Sequence, residues 1–261
     1  MTRRAVTYAS YLKIPELLSL QVERSGGPEH PGGPEHDELL FIVVHQVYEL
    51  WFKALRHELL AVQAALTAGD TDRSLHLLGR VLKILKTVVA QVDVLETMTP
   101  LQFLSFRDRL ESASGFQSAG FRQLEAILGR RDPGAIAAQP EGSAARRAVA
   151  AAQATPTLWD SFLAYLAGRG WALPADAATP DERIQAVLLD VYRGDPDAAL
   201  VAERLVDLDE GVQEWRYRHV KMVERTIGTR SGTGGSSGVE YLRSTLFRPA
   251  FPDLWEIRAR L

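Results

Sequence analysis

Two long stretches of alternating apolar and polar faces organise this chain. The first runs from about 197 to 227, free of Pro and with only Gly211 before Gly228. Leu205, Leu208, Val212, Trp215, Met222 and Val223 recur there at helical spacing. His219 falls on that stripe, one turn after Trp215 and one turn before Val223. Glu214, Arg216, Arg218 and Lys221 occupy faces that can meet water. The second stretch, from 37 to about 68, also lacks Gly and Pro. Residues 39–44 are unbroken apolar, and Tyr48, Leu50, Trp51, Phe52 and Leu55 continue the pattern, which predicts a helix buried on most sides. His45 sits inside it, with Phe41 one turn before.

The shorter patterns are helical too. In 7–24, Tyr8, Tyr11 and Leu12 are spaced i, i+3, i+4, and Pro15 suits a first helical turn. Residues 26–36 write one Gly-Gly-Pro-Glu-His unit twice around Pro31, which predicts a flexible loop. Its histidines, His30 and His36, are not preorganised for a metal. Gly69-Asp70-Thr71-Asp72 ends the second long helix and caps another from 73 to about 98. Residues 87–92 are strand-prone, but no turn signals bound them, so the segment stays helical.

Thr99-Pro100 reads as an N-cap followed by proline at the first helical position. Beyond it, Phe103, Phe106, Arg107 and Leu110 share one face, and Arg109 does not. A guanidinium on that face needs a partner. It is either part of an internal salt bridge or a clamp for an anionic ligand, whose carboxylate it fits as a fork. Residues 112–118 form a loop into a helix ending near Gly129. Residues 130–155, rich in Ala, Arg, Gly and Pro, read as a surface excursion. Thr155-Pro156 and Thr179-Pro180 start further helices, and a last helical segment precedes the close at 251–257. With about eight or nine helices and no strand, the expected fold is all-α, a single-domain bundle with long helices over 1–261.

Composition narrows the chemistry. The 261 residues are 46% hydrophobic and 24% charged, with net charge −3. That is a globular composition with no field to attract nucleic acid or anionic membranes. No apolar run reaches membrane-spanning length. The absence of Cys removes disulfides, thiolate ligands and cysteine nucleophiles. No secretory pattern is read in the first residues, so the cytoplasm is the expected location.

Three further patterns bear on the chemistry. The loop at 228–238 is neither a P-loop nor a dinucleotide fingerprint. Gly234-Gly235-Ser236-Ser237-Gly238 satisfies G-x-S-x-G, but a nucleophile elbow needs a strand before it, so a linker or a mobile lid offering the Thr233 hydroxyl remains. A di-iron bundle needs paired Glu-x-x-His, which the sequence lacks. His219 is therefore either a core histidine satisfied by a hydrogen bond or a ligand. One inward His per helix favours haem among the ligand readings.

Four stretches together resemble the tryptophan 2,3-dioxygenase family. They are Tyr8-Ala9-Ser10-Tyr11-Leu12; the run from His36 through Phe41, His45 and Glu49 to Lys53; Thr99-Pro100 through Phe103 and Arg107 to Ser118; and Trp215-Arg216-Tyr217-Arg218-His219 with the 232–238 loop. Residues 130–200 carry little of the resemblance. It implies an all-helical enzyme with a haem pocket between helices, a homotetramer built as a dimer of dimers. It would open the indole ring of L-tryptophan with O2 to give N-formyl-L-kynurenine. A haem mono- or dioxygenase of a modified tryptophan or indole is the alternative within the wider superfamily.

By the same resemblance His219 would be the proximal ligand to the ferrous iron of haem b, and His45 would face the indole nitrogen. Phe41 and Phe103 would wall the indole pocket. Arg107 would pair with the substrate carboxylate, and Thr233 would contact the amino-acid end. Ser114 and Gly115 would border haem and oxygen. Tyr8, Tyr11 and Leu12, within residues 1–25, would reach a neighbouring subunit's pocket. Val92 stands where some relatives carry an aromatic residue near the haem.

Overall fold

The computed structural model describes residues 5–26, 33–176, 178–233 and 238–261. His30 of the duplicated loop and Ser236 of the G-x-S-x-G run lie outside them. Among the described residues every regular element is a helix. In chain order these are α1 (Tyr8–Leu12), α2 (Ile14–Leu17), α3 (His36–Thr67), α4 (Thr71–Ala90), α5 (Val92–Leu95), α6 (Pro100–Phe106), α7 (Ala119–Ile127), α8 (Pro133–Ala137), α9 (Ala144–Gln153), α10 (Leu158–Gly168), α11 (Glu182–Gly194), α12 (Pro196–Ile227), α13 (Val239–Arg243) and α14 (Pro252–Glu256). Short 3-10 turns cover Arg107–Leu110, Gly115–Gln117 and Arg258–Arg260. None of the described helices is long and apolar enough to cross a membrane.

The two long patterns become α3 and α12, and α4 packs along both. Local chemistry sets their ends. Asp70 accepts the Arg73 amide at 3.0 Å to cap α4. Asp195 caps α12 with Pro196 at its first position, and Gly228, at φ 59°, ends it. Gly211 lets α12 approach α4: a Cβ there would meet Leu85 Cδ2 at 2.7 Å. The main core fills the space between α3, α4, α10, α11 and α12 with side chains such as Leu59, Val62, Leu78, Phe162, Leu188 and Leu205. A smaller cluster gathers Val44, Val92, Leu95, Met98, Phe103, Phe106 and Met222.

The fold corrects three sequence expectations. The helix expected over 73–98 is broken at Gln91, whose side chain leaves the helix line to donate to the Val44 carbonyl of α3 at 2.9 Å. No Gly or Pro marks that break. The 130–155 stretch is not a loose excursion: it holds α8 and α9, and α9 packs on α7 with Val149 fully buried. The next helix is capped by Thr157 and Asp160 in a reciprocal box, two residues after the expected Thr155.

Candidate active site

One cavity draws on three of the four stretches that carry the expected chemistry. Its walls come from α3 (Phe41, His45, Glu49), α6 and the turn after it (Phe103, Arg107), the 114–116 turn, α7 (Arg122, Glu125), α12 (Trp215, Arg216, His219) and the loop residues Gly232 and Thr233. It touches both hydrophobic clusters, so its apolar walls are extensions of the core. Of the sequence-predicted site residues, Phe41, His45, Phe103, Arg107, Ser114, Gly115, Thr233 and His219 all line it. Val92 is buried behind it, in the smaller cluster, and is not part of its surface.

His219 stands on α12 with the Trp215 ring stacked on it one turn earlier, at 5.1 Å between centroids and 6° between planes. No hydrogen bond holds its imidazole among the described residues. That removes the reading of a core histidine satisfied by a hydrogen bond. Burial, then the neighbouring His45 and Arg122, push its pKa down to about 4. The ring is therefore neutral at physiological pH, the form that ligates a metal.

His45 is in a different state. Its Nδ1 lies 2.7 Å from the Phe41 carbonyl on the preceding turn of α3. A carbonyl can only accept, so Nδ1 carries the hydrogen and Nε2 presents a lone pair. Burial holds the ring's pKa below the usual histidine value, which keeps that lone pair free. The Phe41 ring sits 4.0 Å from the imidazole and 5.7 Å from Phe103. An aromatic slot thus adjoins a hydrogen-bond acceptor.

Arg107 lies at the junction of α6 and the following 3-10 turn. Its Nη2 donates to the Ser231 carbonyl at 2.7 Å. Its Nε is buried without a partner. Among the described residues it makes no ion pair, so the internal salt bridge is not what places it there. The same loop is pinned a second time, where the Thr233 hydroxyl donates to the Ala113 carbonyl. The capping box of Ser114 and Gln117 shapes the 114–117 turn, and Ser118 caps α7 while donating to Glu49 at 2.5 Å.

The remaining expected residues lie elsewhere. Tyr8 and Tyr11 are 77% and 76% exposed, and Leu12 is exposed too. They do not line this cavity. Arg216, expected to meet water, is instead buried and bonded to Glu125 at 3.1 Å and the Thr245 carbonyl at 3.3 Å. Sequence reasoning missed Arg122 and Glu125 altogether. Their only signal is the i, i+3 spacing of opposite charges on an otherwise apolar helix, a pattern shared by many exposed pairs. No cluster of three or more His, Asp or Glu side chains able to hold a bare metal ion occurs among the described residues.

The sequence has close counterparts. The profile of the tryptophan 2,3-dioxygenase family matches residues 1–141 and 169–261, which extends the resemblance into part of the 130–200 region. A tryptophan 2,3-dioxygenase of Anaeromyxobacter sp. (strain K) is 62% identical, covering 98% of this chain and 97% of its own. That of Herpetosiphon aurantiacus is 56% identical with 99% of each covered, and that of Caulobacter vibrioides 42% with 98% of each. On this similarity, spread over a cavity built from the matching segments, the chain belongs to the tryptophan 2,3-dioxygenase family.

Proposed function

We propose that this chain is a haem-dependent dioxygenase that inserts both atoms of O2 across the C2–C3 bond of the indole of L-tryptophan, giving N-formyl-L-kynurenine. One observation carries the reading: a neutral His219 and an acceptor-presenting His45 share one apolar cavity with Arg107, and among the described residues His219 has no hydrogen bond and Arg107 no carboxylate partner. The donor set fits haem b. His219, its imidazole without a hydrogen bond among the described residues, would hold the iron, and the apolar walls would suit the macrocycle. Ferrous haem, when bound, supplies the redox chemistry that makes triplet oxygen reactive, which no side chain does alone.

The chain's own residues bind and orient the amino acid. His45 Nε2 accepts the indole N–H. A substrate analogue lacking that hydrogen leaves a buried acceptor unpaired and is disfavoured. Phe41 and Phe103 flank the ring. Arg107 offers its unused Nε–H and a further N–H to the substrate carboxylate as a fork. Thr233, on the loop that Arg107 itself holds, contacts the amino-acid end, so carboxylate capture and loop position share one guanidinium. Ser114 and Gly115 border the haem and oxygen. The walls exclude water from the reacting ring.

Tyr8, Tyr11 and Leu12 complete the pocket of a neighbouring chain in a homotetramer, a dimer of dimers. Support comes from their exposure in the single chain and from the run of exposed apolar residues around them, including Val6, Leu18, Leu20 and Val22.

The test is a visible spectrum of the protein reduced anaerobically, then given L-tryptophan, then 18O-labelled dioxygen. The expected result is a haem Soret band and formylkynurenine carrying two labelled atoms. A product with one added atom would favour the alternative reaction on a modified indole. Absence of haem after reconstitution would remove the His219 reading.

A further inference from the structure

On the α7 side of the cavity three guanidinium groups share one carboxylate. Glu125 Oε1 takes Arg216 Nη2 at 3.1 Å and Arg130 Nη1 at 3.4 Å, and its Oε2 takes Arg122 Nη1. Arg122 and Glu125 are only 6% and 5% exposed. The next acid within electrostatic reach of Arg216 is Asp209. Its carboxylate is occupied by the Ala250 and Phe251 amides, the Trp255 indole N–H and the Gln213 amide. The cluster is therefore left with surplus positive charge in a region that water reaches poorly, a costly arrangement without a further anion.

The surplus faces the cavity. Arg122, Glu125 and Arg216 all line it. Arg122 spends Nε on the Phe116 carbonyl at 3.1 Å and Nη1 on Glu125. Its Nη2 donates to no described group. A second observation points the same way. Trp215, on the same wall, has its Nε1–H buried with no acceptor. The Tyr48 hydroxyl is near enough for the Trp215 N–H to lower its pKa, but the pair does not reach full hydrogen-bonding geometry, and that hydroxyl donates to the Val88 carbonyl at 3.2 Å.

We infer that Arg122, with Arg216 behind it and the Trp215 N–H beside it, forms a carboxylate-binding site distinct from Arg107, and that the carboxylate it takes is one of the prosthetic group's own acid side chains. The inference rests on the haem reading above. It gives the cavity's cations separate roles. Arg107, at the loop, serves the substrate, and Arg122, near the histidine-bearing helix, serves the cofactor. Phe121, next to Arg122 on α7, packs against the Trp215 ring at 4.7 Å between centroids, and that ring stacks on His219, which puts the cluster on the ligand's side.

The experiment compares haem with haem dimethyl ester, in which both carboxylates are blocked. Each is loaded into the parent, Arg122→Met and Trp215→Phe proteins, and its loss to excess haem scavenger is followed by the Soret band. Removing one partner of a buried charged pair is expected to speed haem loss from Arg122→Met by at least about tenfold. Loss of the ester should change little between parent and variant. Trp215→Phe, which keeps the stacked ring, should give a smaller acceleration on haem alone. The ester should also leave the parent protein faster than haem does, a comparison that needs no variant to fold.

Equal acceleration for haem and ester would overturn the site. So would a selective loss of tryptophan over tryptamine affinity in Arg122→Met with haem retention unchanged, since the carboxylate would then be the substrate's. Failure of the haem reading itself would show separately, as a Soret band indifferent to His219→Ala.

Discussion

Replacing Arg107 by Met should separate binding from folding. Among the described residues this guanidinium makes one hydrogen bond, to the Ser231 carbonyl, while its Nε is buried unpaired. The bond contributes about 1.5–3 kcal/mol and the orphaned donor costs about 1–3 kcal/mol, so the two nearly cancel. Met keeps the length of the side chain and leaves no buried donor, and the melting temperature should move by no more than about 3 °C. With L-tryptophan bound, Arg107 gains a carboxylate in an enclosed site. Deleting it should then cost on the order of 3 kcal/mol, about a hundredfold in Kd. Tryptamine, which lacks the carboxylate, should bind parent and variant alike. Spectroscopic titration of the haem-loaded proteins with both ligands, beside thermal melts, measures all four quantities. An unchanged ratio of tryptophan to tryptamine affinity would refute the clamp, and a large loss of melting temperature would refute the cancellation.

Other outcomes follow from the same structure. The pKa of His219 is depressed from 6.5 to about 4 in the haem-free fold, so its neutral burial contributes fully above pH 6.5 and is lost as pH falls from there toward 4. That amounts to about 3 kcal/mol at most. The haem-free protein should melt progressively lower between pH 7 and 5, and His219→Gln should flatten that slope; an identical slope would count against the neutral imidazole. A Cβ at Gly120 would come 2.6 Å from Glu49 Oε2 and 3.3 Å from Phe52 Cβ, whereas one at Gly79 meets nothing within 4 Å. Gly120→Ala should destabilise by about 1–3 kcal/mol and Gly79→Ala should stabilise by about 0.5–1 kcal/mol, which calorimetric melts would rank. Tyr8→Ser with Tyr11→Ser should leave the isolated fold intact, since both rings are exposed, yet lower the sedimenting mass and the tryptophan affinity. Unchanged mass and affinity would show that the arm does not complete a neighbour's pocket.

The long elements were legible because each lacks the residues that stop a helix and carries an apolar stripe that needs covering. Phe41, His45, Phe103, Arg107 and His219 could be placed on inward faces by spacing alone. What spacing could not reveal was pairing over distance. Arg216 reads as a water-facing charge until Glu125, 91 positions earlier, is brought against it. The break at Gln91 depends on a carbonyl of another helix, so the local sequence, strand-prone and free of Gly and Pro, gives no sign of it. In α9 the Ala-rich run has helix propensity but a single fully buried side chain, Val149, so its apolar pattern is too thin to announce a packed helix. These errors came from tertiary partners that overrode or supplemented a local preference, whereas the shift of the next helix start to Thr157 is local, a capping box with Asp160.

The cavity's charges and its histidines belong to one arrangement. A metal-ligating imidazole must be neutral, and a histidine that accepts an indole N–H must keep its lone pair. Burial favours both states. Burial alone, however, would equally tolerate a nearby carboxylate, and such a group would draw a proton onto either ring. The wall beside His219 instead carries Arg122, whose charge lowers the imidazole's pKa further. Of the two acids that line the cavity, Glu125 is already shared among three guanidinium groups and Glu49 accepts from the Ser118 hydroxyl. The positive surplus therefore guards the ligand's protonation state and at the same time demands an anion from whatever enters the cavity. On the proposed reading, a prosthetic group that carries its own carboxylates would meet that demand and would leave Arg107, which pairs with no carboxylate among the described residues, to an amino acid.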